Sequence, residues 1–309
     1  MGVIQIISYI SVIVAIVAMA AKALRYIKAP VHFRWELYPV PHERGRADYG
    51  GSYLEELDWW TKERHSDIFR EIKEMFQEIV LLKGVFHHNR RVWTSSFPFH
   101  FGLYLTIGWL LLLLLGAILQ AAGVEISSGA SFIGALIHYL TIICGYAGFI
   151  LAGLGAFGLL TWRLTDPKQR PYNSPSDYFN LVFFDVVIAV ALISHLTLDS
   201  GFVAMRGYVQ SLIMFTSFSS PGTIFSLELL IMSLLIMYIP LTRMSHFVAK
   251  YFLYHSVRWN DEPNFKGSKL EKHIMKMLGN RVSWSAPHIQ KGQPWSEVVK
   301  EMKDDSETD

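Results

Sequence analysis

Hydrophobic and polar positions along this chain fall into blocks. Apolar runs occupy approximately 3–24, 101–122, 132–160, 178–198 and 223–244, and charged residues crowd into the stretches between them. Each run meets the roughly 20 residues that a helix needs to cross hydrocarbon. Inside lipid a lone segment satisfies its backbone only as a helix. The expected fold class is therefore an all-α integral membrane protein, a five-helix transmembrane bundle with cytoplasmic extensions. We divide the chain into a first transmembrane helix at 1–27, a cytoplasmic loop at 28–96, a four-helix membrane part at 97–255 and a cytoplasmic tail at 256–309. The first run lacks a basic leader and a clean cleavage site, so it is expected to stay as an anchor.

The polar stretches carry weaker patterns. In 28–96, WELYPVPHERGRADYGG is broken by Pro39 and Pro41 and should be extended. SDIFREIKEMFQEIVLLKGVF places Ile68, Phe69, Ile72, Phe76, Ile79 and Val80 on one helical face. That helix would lie on the membrane surface, pack on a partner or cover the bundle ends. SKLEKHIMKML should form a short helix stopped by Gly279, and the last residues should fray.

Charge orients the bundle. The 122–131 connection has no Lys or Arg, and 199–222 has only Arg206. The 25–100 region holds Arg25, Lys28, Arg34, Lys83, Arg90 and Arg91, and the 161–177 connection holds Arg163, Lys168 and Arg170. Positive residues stay on the cytoplasmic side. The expectation is a multi-pass protein of the inner (cytoplasmic) membrane, with the N-terminus outside and the C-terminus inside.

Composition then narrows the chemistry. Of 309 residues only 17% are charged, against about a quarter in soluble domains. A net charge of +2 gives no reason to expect nucleic acid. The single cysteine, Cys144, excludes a disulfide framework, a zinc finger and a self-contained iron–sulfur cluster.

Twelve histidines remain. Four of them, His100, His138, His195 and His246, lie inside or at the rim of the apolar runs. Ionisable groups at membrane depth are costly and mark function. With alternating helix directions, His100 and His246 share a cytoplasmic layer, and His138 and His195 share an outer one. Two imidazoles at one level on different helices fill both axial positions of a haem iron and leave none open, which favours electron transfer. The ten residues from Asp185 to His195 span about 15 Å, so two haems would cover most of the membrane. All four histidines are thus candidate metal and cofactor ligands, with two b-type haems expected.

Other residues carry alternatives. Gly145, Gly148, Ala152 and Gly155 form a small-residue stripe that either brings helices together or leaves room for a macrocycle. Arg90, Arg91, Arg243 and Lys250 would pair with propionates or anchor the cytoplasmic face. Asp185 and Glu228 are candidate buried carboxyls. Glu228 is either a proton acceptor for a quinol or a helix-terminal group facing water. His255, nine residues after His246, should lie outside the hydrocarbon.

The stretches RWELYPVPHE (34–43), YGGSYLEELDWW (49–60), KGVFHHNRRVW (83–93), SFPFHFGLYL (96–105) and HFVAKYFLYHSVRW (246–259) carry a resemblance. The chain resembles membrane cytochrome b subunits related to the gamma subunit of respiratory nitrate reductase. It is most similar to those of the Tmc, Hme and Dsr-type transmembrane redox complexes of sulfate reducers. That resemblance implies five helices, two b-type haems with ligands at His100 and His246, and a cytoplasmic [4Fe–4S] partner resembling heterodisulfide reductase. Such complexes can include a periplasmic multihaem cytochrome c, and menaquinone is a candidate second cofactor. The nitrate reductase pattern places two histidines on each of two helices. Here position 110 is leucine and only His246 stands near the end of the fifth run. His138 and His195 therefore rest on the layer argument.

The leading expectation is a di-haem cytochrome b subunit of an oxidoreductase complex, passing electrons between quinone or a periplasmic cytochrome and a cytoplasmic iron–sulfur subunit. One alternative is the quinone-reactive anchor of a hydrogenase or formate dehydrogenase. The other is a small transporter or structural membrane anchor without haem.

Overall fold

Hydrocarbon leaves a backbone amide no partner outside its own helix, and the apolar runs form helices accordingly. The structure, a computed structural model, describes residues 2–29, 40, 41, 43, 45–63, 67–260, 262–287 and 289–304. Its helices are α1 (Val3–Ile27), α2 (Ile68–Val80), α3 (Lys83–His88), α4 (Arg90–Ala121), α5 (Phe132–Thr165), α6 (Pro175–Leu198), α7 (Val203–Ile213), α8 (Thr223–Leu241), α9 (His246–Leu253), α10 (Lys269–Leu278) and α11 (Trp295–Asp304). Among the described residues there is no β-strand. Five helices, α1, α4, α5, α6 and α8, are long and apolar enough to cross a membrane. The chain is an all-α, multi-pass membrane protein. Of the aromatic stretch 35–51, residues 35–39, 42 and 44 lie outside the described residues, as do His32, His65 and His288; its described part is not extended throughout, because Ala47–Tyr49 forms a 3-10 turn.

Two helix ends depart from the hydropathy reading. α4 starts at Arg90, where Asn89 accepts a hydrogen bond from the Val92 amide at 3.1 Å. Its first turns are too polar to register as apolar, and they continue through Pro98. α8 stops at Leu241 because Thr242 is extended (φ −116°, ψ −176°). The Thr242 hydroxyl donates to the Ile239 carbonyl at 3.1 Å and closes the turn. His246 therefore opens α9, a separate short helix, and does not end the spanning one. α7 and α11 were not expected. Both are short and mixed in polarity, so neither stands out by hydropathy.

The chain forms two compact units, one of Met1–Ala20 with Lys73–Ser245 and one of Ala21–Ile72 with His246–Asp309. In the first, α4 and α5 are antiparallel and nearly backbone to backbone. A Cβ on Gly102 would meet the Ala152 backbone, and one on Gly155 the Phe99 backbone. One on Gly148 would sit 2.8 Å from Thr106 Oγ1, and one on Gly145 2.6 Å from Phe202 Cζ. The small-residue stripe is thus occupied by the facing helix and by Phe202, and no slot for a macrocycle remains along it. The α1 helix joins through polar contacts. Gln5 Nε2 donates to Ser211 Oγ at 2.9 Å, and Ser8 Oγ lies 2.7 Å from the Tyr208 hydroxyl and 2.8 Å from Ser233 Oγ. Such bonds replace a hydrophobic driving force that lipid does not supply.

In the second unit Tyr26 stacks on Phe252, with centroids 5.6 Å apart. Buried Glu43 accepts from Ser52 Oγ at 2.9 Å. α10 is capped by Ser268 and stopped at Gly279. Val282, Ile289 and Val298 make a small core.

Widening either side of the α4–α5 contact should cost about 1–3 kcal/mol by overpacking. Gly102→Val and Gly155→Leu are expected to lower the thermal unfolding midpoint in detergent. Gly108→Ala, where a Cβ meets nothing within 4 Å, should leave it unchanged.

Candidate functional site in the helix bundle

The first unit gathers its buried ionisable groups where α4 ends, α5 begins, α6 ends and α8 begins. His195, in the last turn of α6, is wholly buried, and so is Glu228, in the second turn of α8. His195 Nε2 lies 2.8 Å from Glu228 Oε1. The approach has the distance of a hydrogen bond without its preferred angle, so we treat it as a charge contact. On the other side of the ring, Nδ1 faces the Asp199 carbonyl oxygen at 3.3 Å and Asp199 Oδ2 at 3.6 Å. One imidazole is thus held between two carboxyl side chains.

Local sequence explains the placement. Asp199 follows α6 directly and sits four residues after His195, one helical turn on. Its carboxylate also tethers the start of α7, accepting from the Ala204 and Met205 amides at 2.9 Å each. Burial alone would raise the Asp199 carboxyl. The His195 contact and the two amides more than offset it and hold the group below its ordinary range. Phe202 precedes α7 in the left-handed region (φ 55°, ψ 27°). This conformation is strained for a non-glycine residue. It turns the buried ring onto His195 with centroids 4.2 Å apart. Phe149 and Trp109 complete the wall, with centroids 6.2 and 6.0 Å from the His195 ring.

Arg206 lies in the same region, 1% exposed, and donates to the Ile126 carbonyl at 2.8 Å. Gly116 makes space for it: a Cβ there would stand 3.2 Å from Arg206 Cδ. His138, near the start of α5, places its ring by Gly201. Its Nδ1 is buried without a hydrogen-bond partner among the described residues. No ring contact links His138 to His195 among the described residues.

The other two histidines lie elsewhere. His100, in the third turn of α4, points Nδ1 at the Ser96 carbonyl at 2.7 Å. A carbonyl oxygen only accepts, so Nδ1 carries the proton and Nε2 the lone pair. His246 belongs to the second unit. His255, in the π-helical turn Tyr254–Arg258, stacks on Tyr251 with centroids 4.3 Å apart.

These facts test the expected haems. His100 fits an iron ligand, because imidazoles that bind metal commonly give their other N–H to a carbonyl. His138 and His195 do not fit a shared iron. Both His195 nitrogens face carboxyl or carbonyl oxygens, and the space beside its ring is filled by Phe202, Phe149 and Trp109. Glu228 is buried against His195 and does not face water. Sequence reasoning passed over Asp199, Arg206 and Phe202. The His-x-x-x-Asp spacing and the lone cation of an otherwise cation-free connection were the available signals.

No protein-family model, no curated protein and no solved structure matches the chain.

Removing one partner of a buried charged pair costs about 3–5 kcal/mol, because the other is left uncompensated. His195→Ala and Glu228→Gln should each lower stability in detergent. The double variant should lose clearly less than the two combined. Asp199 adds a pH signature. Its folded-state pKa lies below the unfolded value of about 3.9, so its stabilisation is complete above that value and fades as pH falls through the folded one. Unfolding midpoints measured from pH 7 down to 3 should fall, and Asp199→Asn should start lower and fall less.

Proposed function

We propose that the chain is the membrane-embedded electron-transfer subunit of a respiratory oxidoreductase, with a b-type haem held at His100. The observation that supports this most is the His100 ring, whose Nδ1–H is committed to the Ser96 carbonyl at 2.7 Å. That bond places a proton on Nδ1. His246 is the second axial ligand expected from sequence. A haem with both axial positions filled supplies one-electron transfer. The chain's own part is to fix the imidazole and to keep water from it with the apolar flanks of α4. Arg90 and Arg91, at the start of the same helix, supply positive charge for propionates.

The poor fit of His138 and His195 reduces the proposal from two haems to one in this chain. The Lys and Arg distribution supports a place in the cytoplasmic membrane, N-terminus outside and C-terminus inside. The resemblance to Tmc, Hme and Dsr-type subunits supports a cytoplasmic [4Fe–4S] partner and a periplasmic multihaem cytochrome c.

A second reading is a haem-free transporter. The His195–Glu228–Asp199 cluster favours it, since buried ionisable groups in spans also mark proton pathways.

Reduced-minus-oxidised spectra and a haem count on the purified chain decide between them. We expect one b-type haem, lost or shifted in His100→Met and in His246→Met and unchanged in His138→Met and His195→Met. A colourless protein after expression with ample porphyrin would overturn the proposal in favour of the transporter.

A further inference from the structure

Asp185 stands alone at mid-span. It lies eleventh in α6, so about 15 Å of helix separates it from the start of that helix and more from its end. No hydrogen bond or ion pair reaches its carboxyl among the described residues. The side chain borders a groove of about 400 Å³ between α5 and α6. Every other residue on the wall is apolar, Phe149, Ile150, Gly153 and Phe157 among them. Phe157 is 62% exposed and Ile150 48%, so the groove opens to the hydrocarbon.

A carboxylate at membrane depth is costly unless it is paired, and such groups serve as counter-ions to ligands. The wall decides what kind of cation fits. A calcium or magnesium ion takes about six oxygen ligands, and this groove offers one carboxyl. A ligand with several polar groups would leave all but one of them unpaired against apolar side chains. An organic cation with a single positive centre on an apolar body leaves none. Its charge meets the carboxylate, and the low dielectric strengthens the attraction. Its body replaces lipid along the apolar wall, and the two phenylalanines offer ring faces that attract a cation. The volume lies within the usual range of ligand pockets, about 300–1,000 Å³. Such molecules partition into the bilayer, the side from which the groove is open.

We infer that the α5–α6 groove binds lipophilic organic cations, with the Asp185 carboxylate as their counter-ion. Asp185 supplies the only charge on the wall, so one substitution removes it. The ten residues that separate it from His195 keep the groove apart from the buried cluster by about 15 Å of helix. The inference goes beyond the electron-transfer reading and needs neither haem nor a partner subunit, so the two fail separately.

The test uses the full-length protein in nanodiscs and labelled tetraphenylphosphonium as probe, in equilibrium dialysis with empty nanodiscs as the blank. Saturable binding is expected for wild type. It should weaken by at least about tenfold in Asp185→Asn, which keeps the shape and loses the charge. Gly153→Leu should weaken it likewise, since a Cβ there would already stand 3.2 Å from Ile188 Cγ2. Asp185→Glu, which keeps the charge, should stay within about threefold of wild type. Tetraphenylborate, of the same shape and opposite charge, is measured separately and should only partition into lipid. Circular dichroism and gel filtration establish that the variants fold. Equal phosphonium binding by wild type and Asp185→Asn would overturn the inference, as would saturable borate binding of equal strength or non-saturable phosphonium uptake. A photo-crosslinker at position 189 that joins the chain to another helix in native membranes would overturn it too, because protein would then fill the groove.

Discussion

Hydrocarbon gives a polar side chain nothing to bond to, and this constraint organises the first unit. Gln5 and Ser8 on α1 reach Ser211, Tyr208 and Ser233. Tyr238 on α8 donates to Asn180 on α6 at 2.8 Å. His195 lies between Glu228 and Asp199. Each contact ties two elements that lipid would not drive together. The bundle is therefore a set of apolar helices pinned by few polar contacts, and the pinned groups concentrate at the end where α6 passes into α7.

Close backbone packing supplies the second organising effect. Helices α4 and α5 meet through glycines, which bring Trp109, Phe149 and Phe202 against one another and against His195. That packing decides what the site is able to hold. A wall of rings around a doubly engaged imidazole suits a buried protonatable group and does not suit a coordinated iron. The opposite half of α4 carries His100, whose Nδ1 faces its own Ser96 carbonyl. The two ends of the bundle thus offer different chemistry.

Much of this was legible in the residues. Unbroken apolar length gave all five spans, since backbone satisfaction in lipid admits little else. Alternation of helix direction put His138 and His195 at one end, and the structure places both there, by Gly201 and Asp199. Rotation about a helix axis was not legible. Whether His195 turns toward His138 or toward Glu228 depends on side chains contributed by α7 and α8, and sequence spacing does not carry that. Nor did hydropathy see the stop at Thr242, because Arg243–Ser245 continues as a tight turn of similar composition. Asp185 and Glu228 looked alike as isolated carboxyls. Only packing separates the wholly buried Glu228 from the half-buried Asp185.

Phe202 has a final consequence. Its ring is pressed onto His195 by a backbone in the left-handed region, a conformation that costs about 1–2 kcal/mol in an L-residue. The burial of the ring holds that backbone in place, so the arrangement behaves as a cocked spring. An event that pulls the ring free recovers the stored energy. Uncapping the imidazole is therefore easier than the buried aromatic area alone would suggest.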